Sequence, residues 1–197
     1  MRLSALRSVF AAVALGLLVA SCGYNTIPTL EEQAKARWSE VQNQYQRRND
    51  LISNLVETVK GAANFEKSTL EAVVNARAKA TSIQLNPGDL SDPAKVKQFQ
   101  DAQNQLSGAL GRLIAVSENY PDLKANQNFL ALQSQIEGTE NRIAVSRRDY
   151  IGAVQQFNTS LRTFPTMLWA KTVFAGTRPM AEFAADEGAS KPPQVKF

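Results

Sequence analysis

The sequence contains no histidine. That absence removes His-based triads, His-x-x-His zinc sites and imidazole acid–base chemistry together. It contains one cysteine, which excludes an intrachain disulfide, a CxxC redox pair and a cysteine-rich metal site. Excess charge of either sign is scarce. The formal net charge is +4, but Arg2 and Arg7 lie in a segment that reads as a cleaved signal, and without them 20 basic residues face 18 acidic ones. So small a surplus makes no case for nucleic-acid binding. Long apolar runs are missing as well. The longest, Val9 to Ala20, has 12 residues, short of the roughly 17–25 that span a bilayer. What is present, 197 residues with 44% hydrophobic and 20% charged side chains, fits one globular domain.

The N-terminus carries the most specific local signal. Arg2 and Arg7 form a positive n-region, Val9 to Ala20 an apolar h-region, and small Ala20 and Ser21 precede Cys22. This is the layout of a secretory signal over residues 1–21. Val19-Ala20-Ser21-Cys22 resembles the bacterial lipobox, in which the cysteine is diacylated and becomes the mature N-terminus. An uncleaved transmembrane anchor is the alternative, and the shortness of the run argues against it. A buried structural thiol fits less well, because the neighbours of Cys22 are signal-like. Two or more acyl chains make a stable anchor. The expectation is a membrane tether through Cys22 with the body outside the cytoplasm, in a bacterial envelope and facing the periplasm. Gly23 after the cysteine, in place of Asp, points to the outer membrane if the cell has two.

The rest of the chain reads as helix. Residues 22–28 are expected as a linker, and Thr29 to Glu32 fit a capping box at the start of the first helix. A stripe then runs Ala34, Trp38, Val41, Tyr45, Arg48, Ile52, Leu55, Val59, in steps of four and three that keep one face buried. Gly61 interrupts it. A second stripe passes through Ala63, Glu66, Leu70, Val73, Arg77 and Ala80. Asn86-Pro87-Gly88-Asp89 is a turn, and Asp92-Pro93 supplies an N-cap followed by proline at the first helical position. The third helix should bury Val96, Phe99, Leu106, Leu110 and Leu113, with Pro121 ending it. The fourth stripe is Phe129, Leu132, Ile136, Ile143, Tyr150, Val154, Phe157, Leu161, Phe164, ended by Pro165. From Asn126 to Phe164 this helix would be the longest and should overhang or bend. No alternating run reads as a strand. The pattern predicts an all-α fold, an elongated antiparallel up-and-down four-helix bundle over residues 29–165. A short helical segment over 166–184 and a mobile tail over 185–197 follow.

Polar residues on the buried stripes are the candidates for chemistry. Arg48 and Arg77 fall at core positions, where an unpaired guanidinium is costly. Glu118, Glu137 and Glu140 are the expected partners, in an ion-pair network that fixes helix register. The same carboxylates read as a ferritin-like metal site lack the histidines that such sites use, so no metal is expected. Glu137 and Glu140 are close enough for a glycosidase pair, but nothing suggests a sugar cleft. In Arg47-Arg48 and Arg147-Arg148 one member of each pair should face solvent and one the bundle. Trp38, Tyr45 and Phe129 read as core. Trp169 and Phe174 read either as a cap on one end of the bundle, the favoured choice, or as a membrane-interface contact. The many glutamines, among them Gln42, Gln100, Gln103 and Gln133, read as solvated helix faces.

Several blocks in order resemble the LemA family. They are Gly23-Tyr24-Asn25; Trp38; Arg47-Arg48-Asn49-Asp50-Leu51-Ile52-Ser53-Asn54-Leu55-Val56; Ala76-Arg77; Leu113 through Tyr120-Pro121 to Asn126; Asn128-Phe129; Glu137-Gly138-Thr139-Glu140-Asn141-Arg142; Arg147, Tyr150, Asn158 and Phe164-Pro165. The family motif thus falls on Arg47, Asp50, Asn54, Tyr120, Pro121, Asn128, Arg142 and Arg147. Departures are Ser53 where the family usually has Pro, Ala63 and Phe65 where it has Tyr and His, Ile151 where it has Asn, and a lipobox in place of a transmembrane segment. The resemblance implies an extracytoplasmic, membrane-tethered helical bundle with no agreed activity and no cofactor. It suggests an envelope-protein partner, a membrane metalloprotease or a TPM-type protein. The resulting expectation is a non-catalytic scaffold or adaptor. A lipid- or peptide-binding module, with a groove between helices, is the alternative.

Overall fold

The computed structural model describes residues 23–61 and 65–184. Six α-helices and one 3-10 turn make up the described regular structure: α1 (Thr26–Lys60), α2 (Lys67–Ser82), the turn Pro87–Ser91, α3 (Pro93–Ser117), α4 (Pro121–Lys124), α5 (Gln127–Ser160) and α6 (Thr166–Lys171). Among the described residues there is no strand. The fold is all-α. α1 and α5 run antiparallel along nearly their whole lengths, and α2 and α3 form a second, shorter antiparallel pair.

The first stripe is buried at every position, from Ala34 to Val59. α1 starts three residues before the expected capping box. Asn25 is its N-cap, and Ile27 in the first turn is wholly buried. Pro28 is tolerated there because first-turn N–H groups have no intrahelical partner. Glu32 pairs with Lys35 at 2.7 Å instead of capping. α2 starts at Lys67, so Glu66 is its exposed N-cap and not a stripe position; Ala63 lies outside the described residues. Asp92 caps α3 as expected, its Oδ1 accepting from the N–H of Ala94 at 2.9 Å. Pro121 stands at N1 of α4, so it opens a short helix after α3 has already ended at Ser117. α5 stops at Ser160, and Phe164 is exposed, not the last rung of a stripe. α1 and α5, with 35 and 34 residues, are matched, so neither overhangs the other.

α2 has only 16 residues. At about 1.5 Å per residue it covers less than half of the ~52 Å length of α1. Four helices therefore pack together only in the half of the bundle farther from Gly23. The core divides accordingly. The far half is aliphatic: Leu51, Ile52, Leu55, Val56, Val59, Val73, Leu106, Leu110, Leu113, Leu123 and Ile136 surround Phe129. The near half is aromatic: Trp38, Tyr45, Phe99, Tyr150 and Phe157 pack with Phe183. There the missing fourth side is filled by non-helical chain. The loop before α3 contributes Leu85 and Leu90, and the segment after α6 contributes Met180 and Phe183.

Residues 166–184 are thus helical only as far as Lys171 and then continue through turns into irregular chain. The proposed tail 185–197 and signal 1–21 lie outside the described residues, as does Cys22.

Candidate functional site

Between the two cores lies a polar layer built on Arg48. Its side chain is 1% exposed. Nη1 donates to Glu140 Oε1 at 2.9 Å from α5 and to Ser107 Oγ at 2.9 Å from α3. Nη2 donates to Gln103 Oε1, and Gln103 Nε2 passes the chain on to the carbonyl of Ala80 at the end of α2. The guanidinium also stands 5.0 Å from the ring centroid of Tyr45. One cation thereby touches side chains of α3 and α5 and, through Gln103, reaches α2. A guanidinium suits this because its donors are fixed in a fork and its charge is permanent.

The other expected members stand apart from this layer. Arg77 is half-buried, and its Nε donates to the carbonyl of Asn49 at 3.1 Å, not to a carboxylate. Glu118 is exposed and pairs with Lys124. Glu137 is exposed and accepts from Gln133 at 3.1 Å. A continuous Arg–Glu network is not what the chain builds. The reason is register: Glu118 follows the end of α3 and Glu137 lies one position off the buried stripe of α5. Neutral Gln103 and Ser107 supply the remaining acceptors, as carbonyl and hydroxyl oxygens do without adding charge to desolvate. Glu137 and Glu140 have different partners, Gln133 and Arg48.

The second feature is the strap, residues 178–184, which runs between α3 and α5. Asn158 holds Met180 at both backbone groups, its Oδ1 accepting from the N–H at 2.9 Å and its Nδ2 donating to the carbonyl at 2.9 Å. Gln100 does the same for Ala184, at 3.1 Å and 2.7 Å. Between them the hydroxyl of Tyr150 donates to the carbonyl of Ala181 at 3.1 Å, and the N–H of Ala181 donates to the carbonyl of Leu90 at 2.7 Å. Burial pushes the Tyr150 phenol well above its ordinary value, so it stays a donor. Phe183 inserts against Trp38 and Tyr150, and the Arg147 guanidinium sits 4.7 Å over its outer side. Side-chain amides here satisfy both backbone groups of a residue, as a neighbouring strand would. Reading the glutamines as solvated missed this: Gln100 and Gln103 are both buried. Their spacing from Val96, Phe99 and Leu106 put them beside the stripe, and that was the available signal.

The family-motif residues divide by location. Arg47, Asp50 and Asn54 are exposed on α1, and Asp50 accepts from Gln46 at 3.0 Å. Asn128 and Arg142 are exposed on α5, whereas Arg147 covers the strap. Tyr120 stacks on Phe65 at 4.8 Å between centroids. With Pro121, Thr58 and Asn126 it lines a cleft of about 360 Å³ at the end remote from Gly23. At the other end Trp169 and Phe174 pack against the aromatic core and close on Tyr24, at 5.4 and 5.7 Å. Among the described residues no group of three or more Cys, Asp or Glu side chains is placed to hold a metal. No described helix is long and apolar enough to cross a membrane.

A helical bundle knit by a buried arginine and strapped by its own C-terminal segment defines the class. The LemA family model matches residues 37–197, and the chain belongs to the LemA family. It is similar to the magnetosome protein MamQ 2 of Paramagnetospirillum magneticum, 27% identical over 188 residues, which is 87% of this chain and 68% of that protein. It is similar to the protein LemA of Metamycoplasma hominis, 29% identical over 65% of this chain and 54% of that protein. MamQ of Magnetospirillum gryphiswaldense is 25% identical over 72% and 58%. None of these names carries a catalytic activity.

Proposed function

We propose that the chain is a membrane-tethered, extracytoplasmic scaffold or adaptor that presents one end of a stiff helical bundle to another envelope protein. The observation that carries this reading is the shortness of the connection. Only Gly23, Tyr24 and Asn25 separate the lipobox cysteine Cys22 from an unbroken helix of 35 residues. A tether with so little slack orients the rod that it holds. The far end, with Tyr120 and Pro121, would then stand about 50 Å away along α1, at the usual helical rise. No step in this mechanism makes or breaks a bond. The partner suggested by family context is a membrane metalloprotease or a TPM-type protein.

The test is in-cell crosslinking of the tagged full-length protein beside Cys22→Ala. The expected result is loss of membrane fractionation in the variant, with loss of a reproducible envelope partner. Unchanged fractionation would overturn the lipid tether, and a correctly tethered protein with no partner would overturn the adaptor. The peptide-binding alternative has one observation in its favour: the groove between α3 and α5 already holds a non-helical segment by its backbone. Native mass spectrometry showing a co-purified peptide or lipid would favour it.

A further inference from the structure

The exposed large apolar side chains of the described chain are not scattered. Of the seven, Tyr24, Val74, Leu130, Val145, Phe164, Leu168 and Val173, four belong to residue 24 and the segment 164–173. Phe164 is 71% exposed and Leu168 52%. These two segments meet at one end of the bundle. Gly23 has φ of +105°, and a Cβ there would lie 3.2 Å from Thr166 Cγ2 and 3.6 Å from Pro165 Cγ. Tyr24 closes edge-on over Trp169. The place where the chain leads back to Cys22 is therefore in contact with the apolar end itself.

Charge at this end is positive on balance, with the carboxylates Glu31 and Glu32 at its edge sharing Lys35. Residues 161–181 contain Arg162, Lys171 and Arg178, all exposed, and no carboxylate. Residues 23–30 carry no charge, and the first carboxylates after them, Glu31 and Glu32, are paired with Lys35. Apolar and aromatic side chains interspersed with exposed cations in one segment are the composition of a surface that settles into lipid headgroups.

We infer that this end, presented by exposed Phe164, Leu168 and Val173 with half-buried Trp169 beside them, seats on an anionic lipid bilayer. This rests on the tethered reading above and goes beyond it, since a lipidated cysteine needs no second contact. Gly23 also gains a fold-based reason for being glycine. Its left-handed backbone and its contact with Pro165 and Thr166 disfavour any side chain, whatever sorting signal it carries.

The chain has two tryptophans, and Trp38 is sealed in the core. That makes Trp169 a local probe. Full-length protein is reconstituted into vesicles of phosphatidylethanolamine and phosphatidylglycerol, with and without bromine on the upper acyl chain. Flotation reports the tether, and tryptophan emission reports the seat. The expected result is that bromine removes roughly half of the Trp169 emission, as for an indole at the interface. Trp169→Phe, which leaves Trp38, should show almost no quenching. Phe164→Ser with Leu168→Ser, at exposed positions that spare the core, should float equally and lose the quenching. Equal quenching in the wild type and Trp169→Phe, with flotation intact, would overturn the seat and leave the tether standing. Failure to float would overturn both.

Discussion

The two halves of the bundle solve the same packing problem with different parts. The far half closes with helices on all four sides, and its core is aliphatic but for Phe129. The near half has helices on three sides, because α2 ends at Ser82. Its fourth side is irregular chain, which cannot satisfy its own backbone groups. It therefore requires Gln100, Asn158 and Tyr150 as hydrogen-bonding partners and large rings to fill wider gaps. The buried amides and the aromatics are consequences of one short helix.

The sharpest way to break this arrangement is at the layer between the halves. Arg48→Ala leaves Glu140, Gln103 and Ser107 facing a void. Glu140 is 38% exposed and can stay hydrated, so the loss falls on the buried amide of Gln103 and on the packing of the guanidinium: about 1–3 kcal/mol of unfolding free energy, measured by urea denaturation. Arg48→Met with Glu140→Gln should recover a good part of it, since the void is then filled. If Arg48→Ala proves nearly neutral, the layer does not join the halves.

The second contrast sets Phe183→Ala against Leu113→Ala, one in each core. Each should be destabilising by about 3 kcal/mol. Native-state hydrogen exchange should separate them. Phe183→Ala should raise exchange around Trp38 and α3's first turns while sparing the far half, and Leu113→Ala the reverse. Equal acceleration in both halves would show one cooperative unit.

The smallest expected effect concerns the loop that closes the near half. The Lys95 ammonium and the backbone N–H of Asn86 hold the Asp89 carboxyl below its ordinary 3.8. A depressed folded value means that the contribution is fully present above the unfolded value and is lost as pH falls through the folded one. Asp89→Asn should flatten the acid side of the stability profile. An unchanged profile would show that the turn stands without this charge.

What the sequence determined by itself is what periodicity can carry. Ala34 to Val59, Val96 to Leu113 and Phe129 to Phe157 recur at three, four or seven residues, and a helix must bury such a face. Asp92 and Pro93 likewise mark a helix start through purely local chemistry. Glu66 and Phe164 extended those stripes on paper. The helix end at Gly61 and the proline at 165 take them out of the helices, because helix ends are set by local breakers as much as by pattern. Only the tertiary structure decided which glutamines are buried, that Arg48 meets Glu140 while Glu118 and Glu137 stay outside, and that residues 178–184 replace the missing length of α2. Those outcomes depend on relations between segments as distant in the chain as Trp38 and Phe183. No local pattern encodes them: an amide beside a stripe looks alike whether its neighbour is water or another stretch of chain.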